Sequence, residues 1–211
     1  MRQRNIKNLE EKLRNNSEFL IENPKELKGK WAAIFENENP IYLEIGCGKG
    51  QFIMAHATSH NDANYIAIEG QSNVALRALE KVKTAHQTNL RIFIDYIDDL
   101  REYFEAGELS GIYLNFSDPW PKDRHAKRRL TYGNRLLNYK EVLKEGGAIE
   151  FKSDNDGLFQ FTLEEIERTN FEILEQTADL HDSSYESKEC TTEYEDKFRA
   201  SGKNINYVKF R

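Results

Sequence analysis

The stretch IYLEIGCGKG, Ile41 to Gly50, decides the fold. Its first five residues form an apolar, β-branched run bounded by Pro40 before and Gly46 after, which predicts a strand. Glycines at 46, 48 and 50 then allow a tight turn, and the composition predicts a helix from about Lys49 to Ala57. Working outward, the unit repeats. YIAIE (Tyr65–Glu69) reads as a second strand with the helical NVALRALEKVKTAH behind it, and LRIFID (Leu90–Asp95) as a third, followed by a helical DDLREYFEAG. GIYLNFS (Gly111–Ser117) is a fourth strand. After it comes a basic segment, then a helix from about Tyr132 to Lys144 stopped by Gly146-Gly147 as a C-cap. AIEFKS (Ala148–Ser153) is a fifth strand, with GLFQFTLEEIERTN as its helix. FEILEQTA and INYVKFR read as two late strands without a helical crossover of comparable length beside them, placed to close the sheet antiparallel. Strand–helix alternation over five units predicts an α/β fold: a Rossmann-like, mostly parallel seven-stranded sheet with helices on both faces. Residues 1–211 read as one domain, with 1–38 as an N-terminal extension, helical over Asn5–Phe35 and packed as an extra layer.

The turn EIGCGKG, Glu44 to Gly50, sets the chemistry. Backbone N–H groups at the following helix start can face a ligand. A dinucleotide fingerprint, G-x-G-x-x-G, would need a third glycine where Gln51 stands. The loop is instead preceded by an acid, Glu44, which is awkward for a pyrophosphate and suits a cation. S-adenosylmethionine carries a sulfonium and an amino group. Glu69, at the end of strand two, is placed to accept the hydroxyls of a ribose. The pattern therefore favours S-adenosylmethionine over NAD; the plain alternative is a structural turn with a solvated Glu69. Cys47 reads as a small loop residue and not as a nucleophile.

The second informative stretch is NFSDPWPKDRHAKRRLT, Asn115 to Thr131. Strand four is expected to end at Ser117-Asp118, putting Asp118 at the carboxyl edge of the sheet, where ligands of open α/β sheets sit. Pro119 and Pro121 stiffen the corner, and Trp120 offers a flat apolar face suited to a base out of its stack. Lys122–Arg129 holds five Lys/Arg against one Asp, a net +4, in a chain of formal charge -6. Met1–Arg14, with five Lys/Arg against two Glu, adds +3 and leaves -13 for the remainder. Such segregation suits a local footprint for a polyanion on an otherwise anion-repelling body. A solvated charge run is the bland alternative for either cluster, and for Arg2, Arg4 and Lys7 a frayed basic terminus is the favoured reading over an extension of the footprint.

The chain's 211 residues suffice for a real core, and 31% charged residues mark a polar globule. No apolar run approaches the roughly 20 residues that span a bilayer. The N-terminus lacks the apolar region of a signal peptide, and two cysteines give no disulfide framework. The expectation is a cytoplasmic protein without membrane contact, with no metal site, acting as a monomer or homodimer.

LNFSDPWPK, RHAKRRLT, FKSDN…LF, TEYEDKF and EIGCGKGQF together resemble the bacterial tRNA (guanine-N7-)-methyltransferases, in order and over nearly the whole chain. The resemblance implies a class I methyltransferase fold. It also implies transfer of methyl from S-adenosylmethionine to N7 of the variable-loop guanine at tRNA position 46. It implies cofactor contacts at Glu44, Gly46, Gly48, Glu69 and Asp118, with Asp118 also catalytic. Lys122, Asp154 and Thr192, Glu193, Tyr194 and Glu195 match the substrate positions. Arg124, His125, Lys127, Arg128 and Arg129 match the RNA-contact segment. The chain departs from the family at two positions and by one extra residue before TEYE. Tyr96 stands where an acid usually contacts the adenine end, with Asp95 one position earlier, so either Asp95 supplies that carboxylate or Tyr96 covers the adenine. Asp156 replaces the usual Arg of Lys-Thr-Asp-Asn-Arg. Read without the family, Asp154 could be a helix N-cap, and Thr192 with Glu195 has capping-box spacing. Other function classes remain: an amino-methyltransferase on DNA or protein, or an RNA-binding module with a degenerate cofactor pocket.

Overall fold

A computed structural model describes residues 6–211. Seven strands form one sheet in the order β3-β2-β1-β4-β5-β7-β6. β1 (Ile41–Ile45), β2 (Asn64–Ile68), β3 (Leu90–Phe93), β4 (Leu109–Asn115) and β5 (Leu143–Ser153) pair in parallel, while β6 (Ile173–Thr177) and β7 (Asn206–Phe210) close the edge antiparallel. β2 and β4 are buried throughout, as strands covered on both faces must be. Helices α3 (Gln51–Ser59) and α4 (Ser72–Ala85) pack on one face, where Phe52, Ile53, Leu79 and Val82 meet Tyr65 and Ala67. On the other face α5 (Gly133–Val142) and α6 (Asp156–Arg168) bring Leu136, Tyr139, Leu158 and Ile166 against Leu43, Ile66 and Ile112.

Four expectations are corrected. The helix after the basic segment ends at Val142, and Leu143 is already extended, so Gly146-Gly147 is no C-cap. Those glycines lie inside β5, where the register against β4 slips between Leu109 and Gly111, and Gly146 has φ 77°. Pairing with β4 overrides the local stop signal. DDLREYFEAG yields only a 3₁₀ turn, Leu100–Glu102, capped by Asp99, whose carboxylate accepts the Arg101 N–H at 3.0 Å. The N-terminal extension is less helical than expected. It holds α1 (Leu9–Arg14), a 3₁₀ turn at Pro24–Leu27 and α2 (Trp31–Phe35), separated by Pro24 and by Gly29 at φ 72°. It is fixed by a parallel bridge of Leu20 to Ile92 and by Trp31, fully buried, whose Nε1 donates to the Tyr103 carbonyl at 2.8 Å. β4 stops at Asn115, three residues before Asp118, because Phe116 takes φ 51° and turns the chain out of the sheet. The basic terminal residues Arg2 and Arg4, and Asn5, lie outside the described residues; Lys7 is exposed.

Candidate active site

A cavity of about 520 Å³ opens at the carboxyl ends of β1, β2 and β4, lined among others by Gly46, Glu69, Asp95, Tyr96, Asp118 and Arg128. Asp118 is exposed and faces the same space as the glycine turn. The turn is built for it. The N–H groups of Gly46 and Cys47 both donate to the Ile68 carbonyl, at 2.8 and 3.0 Å, pinning the loop to β2. Gly46 and Gly48 have φ of 80° and 58°, and a Cβ at either would meet nothing within 4 Å. Glycine is therefore needed there for the backbone conformation, and open space lies before it. Cys47 is buried and its thiol is pushed well up by that burial, so it is inert.

Glu44 is 1% exposed at the end of β1. Asn115 donates to its Oε1 at 2.9 Å, and Oε2 has no partner. Burial lifts this carboxyl to about 7. Glu69 accepts from the Gly48 N–H at 3.0 Å and the Gln71 N–H at 2.9 Å, and burial raises it too, with Asp118 adding to the rise. Asp95 accepts the Tyr103 hydroxyl at 2.7 Å and the Tyr96 N–H at 2.8 Å. The Tyr96 ring lies against Gly70, where a Cβ would come within 2.3 Å of it, yet Tyr96 stays 75% exposed. Glu69 on the cavity wall, and Glu44 buried behind the glycine turn and outside the cavity lining with one oxygen unpartnered, fit an organic cation bearing a sugar. The residues present fit S-adenosylmethionine.

The corner 116–121 is strained at both ends, with Trp120 at φ 41° as well as Phe116 at 51°. Arg129 fastens it from within: Nε donates to the Pro119 carbonyl and Nη2 to that of Trp120, both at 3.1 Å, and the guanidinium lies 4.3 Å over the Phe161 ring. Arg128 stacks on Trp120 at 4.8 Å, and His125 meets the same ring edge-on at 5.7 Å. Lys122, Arg124 and Lys127 stand exposed on or beside the 3₁₀ segment Asp123–Arg128. Four of the five basic side chains thus form an outward ledge, while Arg129 turns inward.

The C-terminal candidates divide in the same way. Thr192 and Glu195 form a full capping box on α7 (Glu193–Ala200). Glu195 is fully buried, held by His181 Nε2 at 2.7 Å and paired with Lys152 Nζ at 3.5 Å, so it braces the segment and does not reach the cavity. Glu193 pairs with Lys81 of α4 at 2.6 Å. Tyr194, 46% exposed, lies 5.2 Å from Phe116 and feels both Asp154 and Asp118, which adds to the burial that raises its phenol. Asp154 sits half-buried beyond β5; the N-cap of α6 is its neighbour Asn155, which accepts the Leu158 N–H at 2.8 Å. Asp156 pairs with Lys203 at 3.1 Å. Sequence reasoning missed Asn115, Lys152 and His181. Asn115 carried a signal, being a polar residue inside the apolar strand run GIYLNFS. Among the described residues no group of three His, Cys, Asp or Glu could hold a metal ion, and no helix is long and apolar enough to cross a membrane.

The sheet order with its antiparallel seventh strand, and an acid-flanked glycine turn at the carboxyl edge, define a class I S-adenosylmethionine-dependent methyltransferase fold. A solved S-adenosylmethionine-dependent methyltransferase from Aquifex aeolicus superposes with a TM-score of 0.56 at 12% identity, over 97% of this chain and 98% of that one. A 30S ribosomal A1408 methyltransferase from an uncultured bacterium gives 0.60 at 14% identity, over 87% and 92%. Residues 38–208 match the family model described as "Putative methyltransferase". The tRNA (guanine-N(7)-)-methyltransferase of Bacillus subtilis (strain 168) is 46% identical over 92% of this chain and 90% of its own. That of Streptococcus agalactiae serotype III is 44% identical over the full length of both. The chain belongs to the tRNA (guanine-N(7)-)-methyltransferase family.

Proposed function

We propose that this chain transfers a methyl group from S-adenosylmethionine to N7 of guanine in tRNA, at position 46 in the variable loop, in the cytoplasm. One observation carries the reading: the carboxylate-lined cavity that holds Asp118 opens onto the Lys122–Arg128 ledge, with Arg128 lining both. When bound, S-adenosylmethionine supplies an electrophilic methyl on a sulfonium. Glu44 and Glu69 hold the cationic and hydroxyl-bearing parts of such a ligand, and either Asp95 or the Tyr96 ring contacts its adenine end.

Guanine N7 is an in-plane acceptor without a proton. No base is needed to unmask it, and positioning carries most of the work. Trp120, braced by Arg128 and His125, and Tyr194, resting on Phe116, supply aromatic faces at the mouth for a base drawn out of its stack. Asp118 accepts from the guanine N–H edge and stabilises the positive charge that builds on the purine as N7 takes the methyl. Asp154 supports the same base. Lys122, Arg124 and Lys127 hold flanking phosphates. Labelled methyl transfer to purified tRNA with and without the variable-loop guanine tests this. Incorporation that persists without that guanine, or that appears on DNA, refutes it.

A further inference from the structure

A second cavity, about 670 Å³, lies away from the methyl-transfer site, on the sheet face that carries α3. Its volume is that of a small-molecule site. Its floor is aromatic. Tyr42 stacks on Tyr65 at 5.7 Å and on Tyr113 at 6.0 Å, both at 23°, and its ring lies over Gly111, where a Cβ would be 2.8 Å from it. Beside this floor a charged row crosses the sheet in register, Tyr113–Glu150–Lys209–Glu175. Lys209 pairs with Glu150 at 3.3 Å. The Tyr207 hydroxyl lies 3.1 Å from a carboxylate oxygen of Glu150 and 3.1 Å from one of Glu175, and one proton cannot serve both. Glu175 has no ion-pair partner among the described residues. Asp62, Glu186 and Glu189 add to the rim, so five acids face one lysine.

Two polar atoms here are enclosed and unsatisfied: His56 Nε2, on the α3 side, and Ser187 Oγ, on the segment that roofs the cavity. A buried group of this kind lacking a hydrogen bond is costly, so a ligand that supplies N–H donors is favoured. Burial holds His56 down to about 4, so the ring is neutral and does not compete as a cation. The excess of acids excludes phosphate-bearing ligands. Stacked tyrosines beside unpaired carboxylates instead suit ammonium groups on a flexible apolar chain.

We propose that this cavity binds a linear aliphatic di- or polyamine, its methylene chain over Tyr42 and its ammonium groups accepted by Glu175, Glu150, His56 and Ser187. Titration calorimetry of spermidine and putrescine into the full chain tests it. The expected result is saturable binding of one ligand per chain, weakened at least about tenfold by Glu175→Gln and by Tyr42→Ala. Glu145→Gln, an exposed acid elsewhere, leaves it unchanged. Saturating S-adenosylmethionine does not displace the amine, which separates this site from the first. Spermidine also raises the melting temperature of the wild type more than that of Glu175→Gln, a readout that stands if Tyr42→Ala folds poorly. Absence of saturable heat, binding that Glu175→Gln and Glu145→Gln weaken equally, or displacement by S-adenosylmethionine overturns the proposal.

Discussion

Asn115 reaches from the end of β4 to donate its amide to Glu44 Oε1 at 2.9 Å, and the other carboxylate oxygen, Oε2, is left buried without a partner. The carboxyl is therefore half-solvated by the protein and waits for a donor. Its pKa of about 7 in the fold, against 4.5 ordinarily, has a definite sign. Glu44 binds its proton more tightly folded than unfolded. Its contribution to stability is complete below pH 4.5 and is lost as the pH rises through 7, by up to about 3 kcal/mol at pH 8. Glu44→Gln should thus be relatively more stabilising at pH 8 than at pH 5, in urea unfolding of the ligand-free chain. A cationic ligand has the opposite demand and needs the carboxylate. S-adenosylmethionine affinity should rise from pH 5 to pH 8 in the wild type and stay flat and weak in Glu44→Gln. Calorimetry showing a flat wild-type profile would remove Glu44 from the cation's contact shell.

Asp118 is exposed, so replacing it disturbs little packing. Asp118→Asn and Asp118→Ala should melt within a few degrees of the wild type. Both should cut turnover at least about tenfold, worth roughly 1.4 kcal/mol in the barrier. Single-turnover methyl transfer at saturating cofactor is the direct measurement. Near-normal rates would leave the aspartate as part of the rim only.

The five basic residues of Lys122–Arg129 should separate into two behaviours. Arg124→Ala and Lys127→Ala should weaken tRNA binding and flatten its salt dependence by about one unit per lost phosphate contact. Arg129→Ala should leave the slope unaltered. It should instead lower stability and turnover together, because its guanidinium is committed to the Pro119 and Trp120 carbonyls. Arg129→Lys should rescue neither, since an ammonium lacks the planar fork that spans two acceptors. A salt slope reduced in Arg129→Ala would mean that its side chain leaves the corner to meet RNA.

What the sequence disclosed depended on how local each cause was. The glycine turn, the strand–helix alternation and the Thr192–Glu195 capping box arise from neighbours in the chain, and all three were legible. Gly146-Gly147 misled for the same reason: the local stop signal is real, but pairing with β4 draws the chain into a strand. Nothing in KDRHAKRR distinguishes Arg129 from its companions. Its inward turn is set by Phe161 on α6 and by the φ of Trp120. Asn115 and Lys152 went unread because their partners, Glu44 and Glu195, lie far away in sequence. Composition could show that a partner was needed, but only the folded topology could supply it.

Lys152 is 1% exposed, donates to the carbonyls of Ser187 and Cys190, lies 5.0 Å over the Phe52 ring and pairs with Glu195, itself shared with His181. One side chain thereby ties β5, α3 and the segment leading into α7, and with it the position of Tyr194 beside Phe116. Lys152→Met keeps the volume and leaves Glu195 buried with a single neighbour able to charge. Breaking such a pair costs about 3–5 kcal/mol. Burial depresses His181 in the native protein, and the Lys152 charge adds to that depression. Removing the lysine should therefore raise the His181 pKa, letting imidazolium compensate Glu195 in acid. A group with a lowered folded pKa costs stability as the pH falls through its unfolded value, and the variant, whose His181 is lowered less, loses less than the wild type there. The variant's deficit should consequently be smaller at pH 5.5 than at pH 8 in urea unfolding, and adding His181→Gln should abolish that difference. An equal deficit at both pH values would show that His181 does not share the Glu195 charge.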